Sequence, residues 1–138
     1  MIATFMLSYD DARRAMDAAV AELSRRGKAA IVAVADSHGE LFAFARMEGA
    51  PLSSIAIARN KAWTAARTGE PTSVLARKMS TEPGFDIANY GDAHWCGWGG
   101  AIPLRKDGMV VGAIAVSALT SEEDAEIATI GAAAIGLA

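Results

Sequence analysis

Apolar positions near the start of the chain recur with a helical period and then switch to a strand-like run. Ala12, Ala15, Met16, Ala19, Val20 and Leu23 fall on one helical face. Ser8 followed by Asp11 predicts a capped start. Arg25, Arg26 and Gly27 close the helix with last-turn cations and a terminating glycine. Ala29 to Ala35 is short, apolar and β-branched, which predicts a buried strand. Asp36-Ser37-His38-Gly39 is turn chemistry, and Glu40 to Arg46 reads as the return strand of a hairpin.

Glu48-Gly49-Ala50-Pro51 breaks the chain before a second helix with Ile55, Ala58, Ala62, Ala65 and Ala66 on one face. Gly69-Glu70-Pro71 ends it, and Thr72 is expected to cap a short third helix running to about Met79. Residues 80 to 98 show neither period, and long irregular connections inside a compact domain tend to be functional or disordered; their tryptophans argue against disorder. Ala101 to Leu104 and Met109 to Ser117 flank Asp107-Gly108, a two-residue hairpin signal. Thr120 with Glu123 predicts a capping box for a last helix to about Ile135. The order is α-β-β-α-α-loop-β-β-α. Hairpins in place of βαβ crossovers imply an α+β fold, an antiparallel sheet flanked by helices, and one domain over residues 1–138.

Composition narrows the function classes. The hydrophobic fraction is 52%, much of it alanine, so the core needs close helix–sheet packing. A net charge of −3 exerts no general pull toward nucleic acid. Arg59, Lys61, Arg67, Arg77 and Lys78 make the middle of the chain basic, as solvated helix faces or as a recess for an anion. No apolar run approaches the roughly 20 residues that span a bilayer. The N-terminus has no basic n-region or signal-length apolar stretch, so a cytoplasmic location without membrane contact is expected. A single cysteine excludes an intrachain disulfide and the Cys-x-x-Cys-His haem attachment. There is no phosphate-cradling lysine loop, dinucleotide-binding glycine fingerprint or nucleophile elbow.

Chemistry concentrates in residues 89–100, Asn-Tyr-Gly-Asp-Ala-His-Trp-Cys-Gly-Trp-Gly-Gly. This tract holds the only cysteine, Cys96, one of two histidines, His94, and two of three tryptophans, Trp95 and Trp98.

Beyond these local signals, Val34-Ala35-Asp36 with Gly39, then Arg46-Met47, resemble the "VVD..G.L....RM" segment of the GlcG/HbpS-like family, also called the haem-degrading domain family. Ser54, Ala58, Lys61-Ala62 and Thr64-Ala65 resemble its "S...A..KA.TA" helix. Gly99-Gly100, Pro103, Val111-Gly112-Ala113-Ile114 and Val116-Ser117 resemble its "GG.P....VVGAIGVSG" ending. The resemblance covers nearly the whole chain. It implies a profilin-like domain that self-associates as dimers and higher oligomers, often octamers. Several relatives bind haem, and many lie beside catabolic enzymes. The family's two glycines in "GVSG" are Ala115 and Ala118 here. His94-Trp95-Cys96-Gly97-Trp98 is not a general family feature, so neither His94 nor Cys96 is carried over as a haem ligand.

Two readings follow. In the first the protein binds haem or another planar or carboxylated small molecule. Haem iron accepts His, Cys, Met or Tyr, and the tract offers His94, Cys96 and Tyr90, with Trp95 and Trp98 to flank a porphyrin. In the second it is a cofactor-independent isomerase, lyase or hydrolase acting on a small catabolic acid. His94 with Asp92 would be the acid/base pair, or Cys96 beside His94 an activated thiolate. Arg46 and Lys61 would hold a carboxylate, with Asp36 nearby, and Gly99 and Gly100 would offer backbone N–H groups. The same residues have plain structural readings. Lys61 snorkels from a helix edge, Arg46 pairs with Glu48 or Asp36, and Gly99-Gly100 permits a turn. A metal site is not expected, because His94 and Cys96 are two ligands where zinc needs three or four.

Overall fold

A computed structural model describes residues 1–137. Helix α1 spans Tyr9–Arg25, followed by β1 (Ile31–Asp36), β2 (Leu41–Arg46), α2 (Ser54–Thr68) and α3 (Thr72–Thr81). A 3-10 turn (Ile87–Tyr90) precedes β3 (Ala101–Lys106), β4 (Met109–Ser117) and α4 (Ser121–Ala133). The strands form one antiparallel sheet in the order β2-β1-β4-β3. The fold is therefore α+β with the element order read from the sequence.

Strand β1 lies inside the sheet and is covered on both faces, which is why its apolar run is continuous and not alternating. The two faces differ in side-chain size. Val32, Val34, Leu104, Ile114 and Val116 point toward α1 and α4. Ala33, Ala35, Ala101, Ala113 and Ala115 meet Ala58, Ala62, Ala65 and Ala66 of α2, with Ile31 the one large strand residue on that side. Small residues on both surfaces bring α2 close to the sheet, so polar side chains on α2 can reach groups beyond it. Pro103, which cannot donate to a ladder, sits on the edge strand β3. Gly131 lets α4 cross close to its neighbours: a Cβ there would lie 2.6 Å from Ile114 Cδ1 and 2.7 Å from the Ala15 carbonyl oxygen.

The local signals fare unevenly. Ser8 and Asp11 form the full capping box of α1. Asp107 and Gly108 take φ of 49° and 80°, the paired positive values of a tight hairpin turn. The Thr120 hydroxyl accepts from Glu123 N–H, but the Glu123 carboxylate pairs with Lys28 at 3.1 Å and does not close the box. Thr72 does not cap α3. It is fully buried, and its hydroxyl accepts the N–H of Ala101 at 3.1 Å, tying the start of α3 to β3. Helix α3 runs to Thr81, and the irregular stretch that follows contains the short 3-10 turn.

Candidate functional site

The connection from α3 to β3 folds over the outer surface of α2 and is pinned there by Thr64. The hydroxyl of this fully buried residue accepts the N–H of Cys96 at 2.9 Å and donates to the His94 carbonyl at 3.4 Å. Asp86 and Asp92 fold the loop locally, each accepting the N–H two residues ahead. Rings then stack outward from α2. Trp63 meets Trp95 edge-on at 4.7 Å and His94 at 5.4 Å, Tyr90 meets Trp95 at 4.7 Å, and Phe85 lies 6.1 Å from Tyr90. Arg67 caps the stack, with its guanidinium 4.2 Å from the Trp63 ring centroid and its Nε donating to the His38 carbonyl at 2.8 Å.

Three recesses border this cluster. His94 shares one of about 260 Å³ with Gly39, Glu40, Leu41, Arg59 and Trp63. Its Nδ1 lies 2.6 Å from Asp92 Oδ1, and both side chains are about half exposed. The His94 backbone N–H and ring hold the Asp92 carboxyl below its ordinary value. A second recess, about 480 Å³, runs along Ser37, His38, Ala66, Arg67 and Trp95. The third, about 330 Å³, is a groove of Met79, Trp95, Cys96, Gly97 and Trp98. Trp95 lines the second and third, so they adjoin across its ring. Burial pushes the Cys96 thiol up from its ordinary value, only partly opposed by the Trp98 backbone N–H and the Lys61 charge. The hydrogen-bond partner of the His94 ring is Asp92, not Cys96.

Beyond Trp98, whose ring is exposed, lies a recess of about 530 Å³. Its floor is an ion pair between α2 and α4: Lys61 Nζ lies 3.0 Å from Asp124 Oδ2 and donates to the Val116 carbonyl at 3.1 Å. Asp124 Oδ1 accepts the N–H of Leu119. Burial raises the Asp124 carboxyl, and Lys61 opposes that rise. Gly100 makes the pair possible. A Cβ there would sit 2.6 Å from Lys61 Nζ and 2.9 Å from Asp124 Cβ, and its φ of +131° strains any larger residue.

The structure thus divides the sequence candidates. His94, Asp92, Tyr90, Trp95, Cys96 and Trp98 gather on the outer face of α2. Lys61 lies at the floor of the neighbouring recess and is 3% exposed, so it is a buried partner of Asp124 and does not snorkel. Gly99 and Gly100 are buried, and they thread the chain between Ser73, Ser121, Lys61 and Asp124. Arg46 is exposed at the end of edge strand β2, opposite Ile31, and borders none of these recesses. No ion pair joins it to Glu48 or Asp36 among the described residues. Asp36 Oδ1 accepts the N–H groups of His38 and Glu40, which makes it a turn-former. Thr64, Met79, Ser54, Ser117 and Asp124 are not among the site residues that the sequence singles out. Asp124 carries a signal: it sits one turn before Ile127 and Ala128, where the buried stripe of α4 calls for an apolar residue. Among the described residues no group of three or more His, Cys, Asp or Glu side chains is placed to hold a metal ion, and no helix is long and apolar enough to cross a membrane.

The four-stranded antiparallel sheet covered by helices is an α+β fold that known proteins share. The family model described as "Haem degrading protein HbpS-like" matches residues 7–133, and the chain belongs to that family. The crystal structure of a double mutant of HbpS from Streptomyces reticuli superposes with a TM-score of 0.88 at 29% identity, covering 99% of this chain and 91% of that one. The complex of PduOC with haem gives a TM-score of 0.88 at 28% identity, covering 97% and 98%. The corrinoid adenosyltransferase PduO of Salmonella typhimurium is 32% identical over 136 residues, 95% of this chain. The chain spans only 39% of the length of that curated relative.

Proposed function

We propose that this protein binds haem in the groove of Met79, Trp95, Cys96, Gly97 and Trp98. The observation that carries the reading is the donor set: a thiol and a thioether line one groove that two indole rings also line. Thiolate and thioether sulfur are both established axial ligands of haem iron, and indole faces suit a flat macrocycle. The relative PduOC is known as a haem complex, which supports the same ligand class here. When bound, the group would supply redox-active iron. Within this chain Cys96 would hold the group through its sulfur, with Trp95 and Trp98 supplying aromatic surface beside it. Arg67, on the other side of Trp95, is the cation placed to meet a carboxylate substituent. Self-association belongs to this reading through the family resemblance, and Leu41 and Phe44 leave partly exposed apolar surface along edge strand β2.

Titrating the purified protein with haemin tests the proposal. A saturable Soret band at one site per chain is expected, with a shifted maximum and weaker binding in Cys96→Ala and an unchanged band in His94→Ala. Absence of a saturable band, or a Cys96→Ala protein that binds as the parent does, overturns it.

A second reading rests on the Asp92–His94 pair. The carboxylate orients the imidazole through Nδ1, leaving Nε2 for proton transfer in the recess that Arg59 also lines. It assigns a cofactor-independent acid/base reaction on a small carboxylic acid. Turnover on a panel of such acids that disappears in His94→Ala, with Cys96→Ala unaffected, is the result that favours it.

A further inference from the structure

The recess above Lys61 and Asp124 is separate in its chemistry from the sulfur-bearing groove. Its walls combine apolar surface from Pro51, Ile57, Leu119 and Trp98 with the polar side chains of Ser54 and Ser117. Both serines are only 4% exposed. Neither hydroxyl bonds to another group of the chain among the described residues, and neither is among the fully buried unpaired atoms, which are Asn60 Oδ1 and Trp95 Nε1, so each is left open to the recess. Each lines the recess, so what exposure remains faces its interior.

Lys61 adds a third unspent group. An ammonium has three N–H donors, and here two are taken, by Asp124 Oδ2 and the Val116 carbonyl. The recess thus combines apolar walls with one unspent ammonium donor and two unspent hydroxyls. Hydroxyls donate or accept, but the ammonium only donates, so the missing partner must present acceptors. The Coulomb field of Lys61 is largely balanced by Asp124, which disfavours a multiply charged anion such as a phosphate dianion. A single carboxylate offers acceptor lone pairs enough for all three donors, and a short apolar remainder would lie against Ile57 and the Trp98 ring.

The geometry points to a second ligand site here, one that takes a small monocarboxylate with its carboxylate on Lys61, Ser54 and Ser117 and its apolar part under Trp98. This site goes beyond the haem reading and does not depend on it. Lys61 and Asp124 give the site its floor, and the serines give it selectivity.

Calorimetric titration of haem-free protein with pyruvate, L-lactate and benzoate, each beside its neutral amide, tests the site. At least one carboxylate should bind saturably and its amide should not. Ser54→Ala and Ser117→Ala, which remove hydroxyls that bond to nothing in the protein, should keep the parent melting temperature yet weaken binding about tenfold each. Trp98→Phe should remove the accompanying tryptophan fluorescence change, and Cys96→Ala should bind the carboxylate as the parent does. Failure of all three acids to bind overturns the site, as does equal binding of acid and amide, or binding unchanged in both serine variants. Because Cys96→Ala separates the two grooves, loss of haem binding and loss of carboxylate binding are distinguishable.

Discussion

Lys61 and Asp124 meet across the interior as a hydrogen-bonded ion pair, their side chains 3% and 2% exposed and 3.0 Å apart. Withdrawing two charges from water costs several kcal/mol per ion, and attraction between them repays this only with good geometry and further hydrogen bonds. Those bonds are present, to the Val116 carbonyl and from the Leu119 N–H. Removing one partner leaves the other charge buried alone. Asp124→Ala is expected to lower stability by about 3–5 kcal/mol. The paired replacement Lys61→Met with Asp124→Leu is expected to recover most of that loss. Denaturant unfolding of the two singles and the double completes the cycle. A double variant no more stable than either single would mean that the pair does not act as a unit.

Thr64 holds the aromatic loop on α2 with one hydroxyl that serves two backbone groups, Cys96 N–H and the His94 carbonyl. Thr64→Val keeps the shape but strands the Cys96 N–H in a half-buried place, at a cost of about 1–3 kcal/mol. The loss should be local. Amide hydrogen exchange should quicken across residues 92–98 while β1 and β4 stay protected, and the haem affinity proposed above should fall with it. Uniform acceleration across the sheet would show that Thr64 supports the core and not the loop.

The fold is legible in the sequence where short-range chemistry decides it. The Ser8–Asp11 box and the Asp107-Gly108 turn depend on residues within reach of each other along the chain, and both form as expected. Thr72 misleads because its partner, Ala101 N–H, lies across the fold, and a threonine at a helix start looks the same whether it caps or cross-links. The clustering of the loop's side chains is legible as composition, since Tyr90, Asp92, His94, Trp95, Cys96 and Trp98 gather on the outer face of α2. The division into recesses is not. That Lys61 and Cys96 serve adjoining recesses follows from how closely the alanine face of α2 approaches the sheet, a tertiary distance no spacing encodes. Asp124 is readable in principle as a carboxylate on an apolar stripe, and Ser54 and Ser117 only through their missing partners.

Glu22 supplies a pH dependence with a definite sign. Hydrogen bonds from Arg25 at 2.6 Å and Arg26 at 2.9 Å hold its carboxyl down to about 2, against an ordinary 4.5. A carboxyl whose pKa falls on folding stabilises the native state once the unfolded form is ionised, above about 4.5. That contribution is lost as pH falls from there through about 2. The melting-temperature gap between the parent and Glu22→Gln should therefore be constant near neutrality and close progressively below pH 4.5. A gap unchanged down to pH 2 would mean that the arginines do not favour the ionised carboxyl.

Cys96 is the residue on which the haem and enzyme readings part most sharply. Burial raises its pKa above the ordinary 9.0, and the His94 ring that would activate it is bonded to Asp92 instead. Thiolate is the reactive form, so alkylation by iodoacetamide should be slow at neutral pH, slower than for an unstructured cysteine. The rate should climb with an apparent midpoint above 9.0 and should not change in His94→Ala. A nucleophilic role demands the reverse, a midpoint displaced toward neutrality and abolished with His94. A haem-ligand role tolerates the high value, because coordination to iron deprotonates a thiol outright. Haemin should accordingly protect Cys96 from alkylation in proportion to the Soret band it generates. Full alkylation of the haem-loaded protein would remove Cys96 from the ligand set and leave Met79 as the sulfur donor to test.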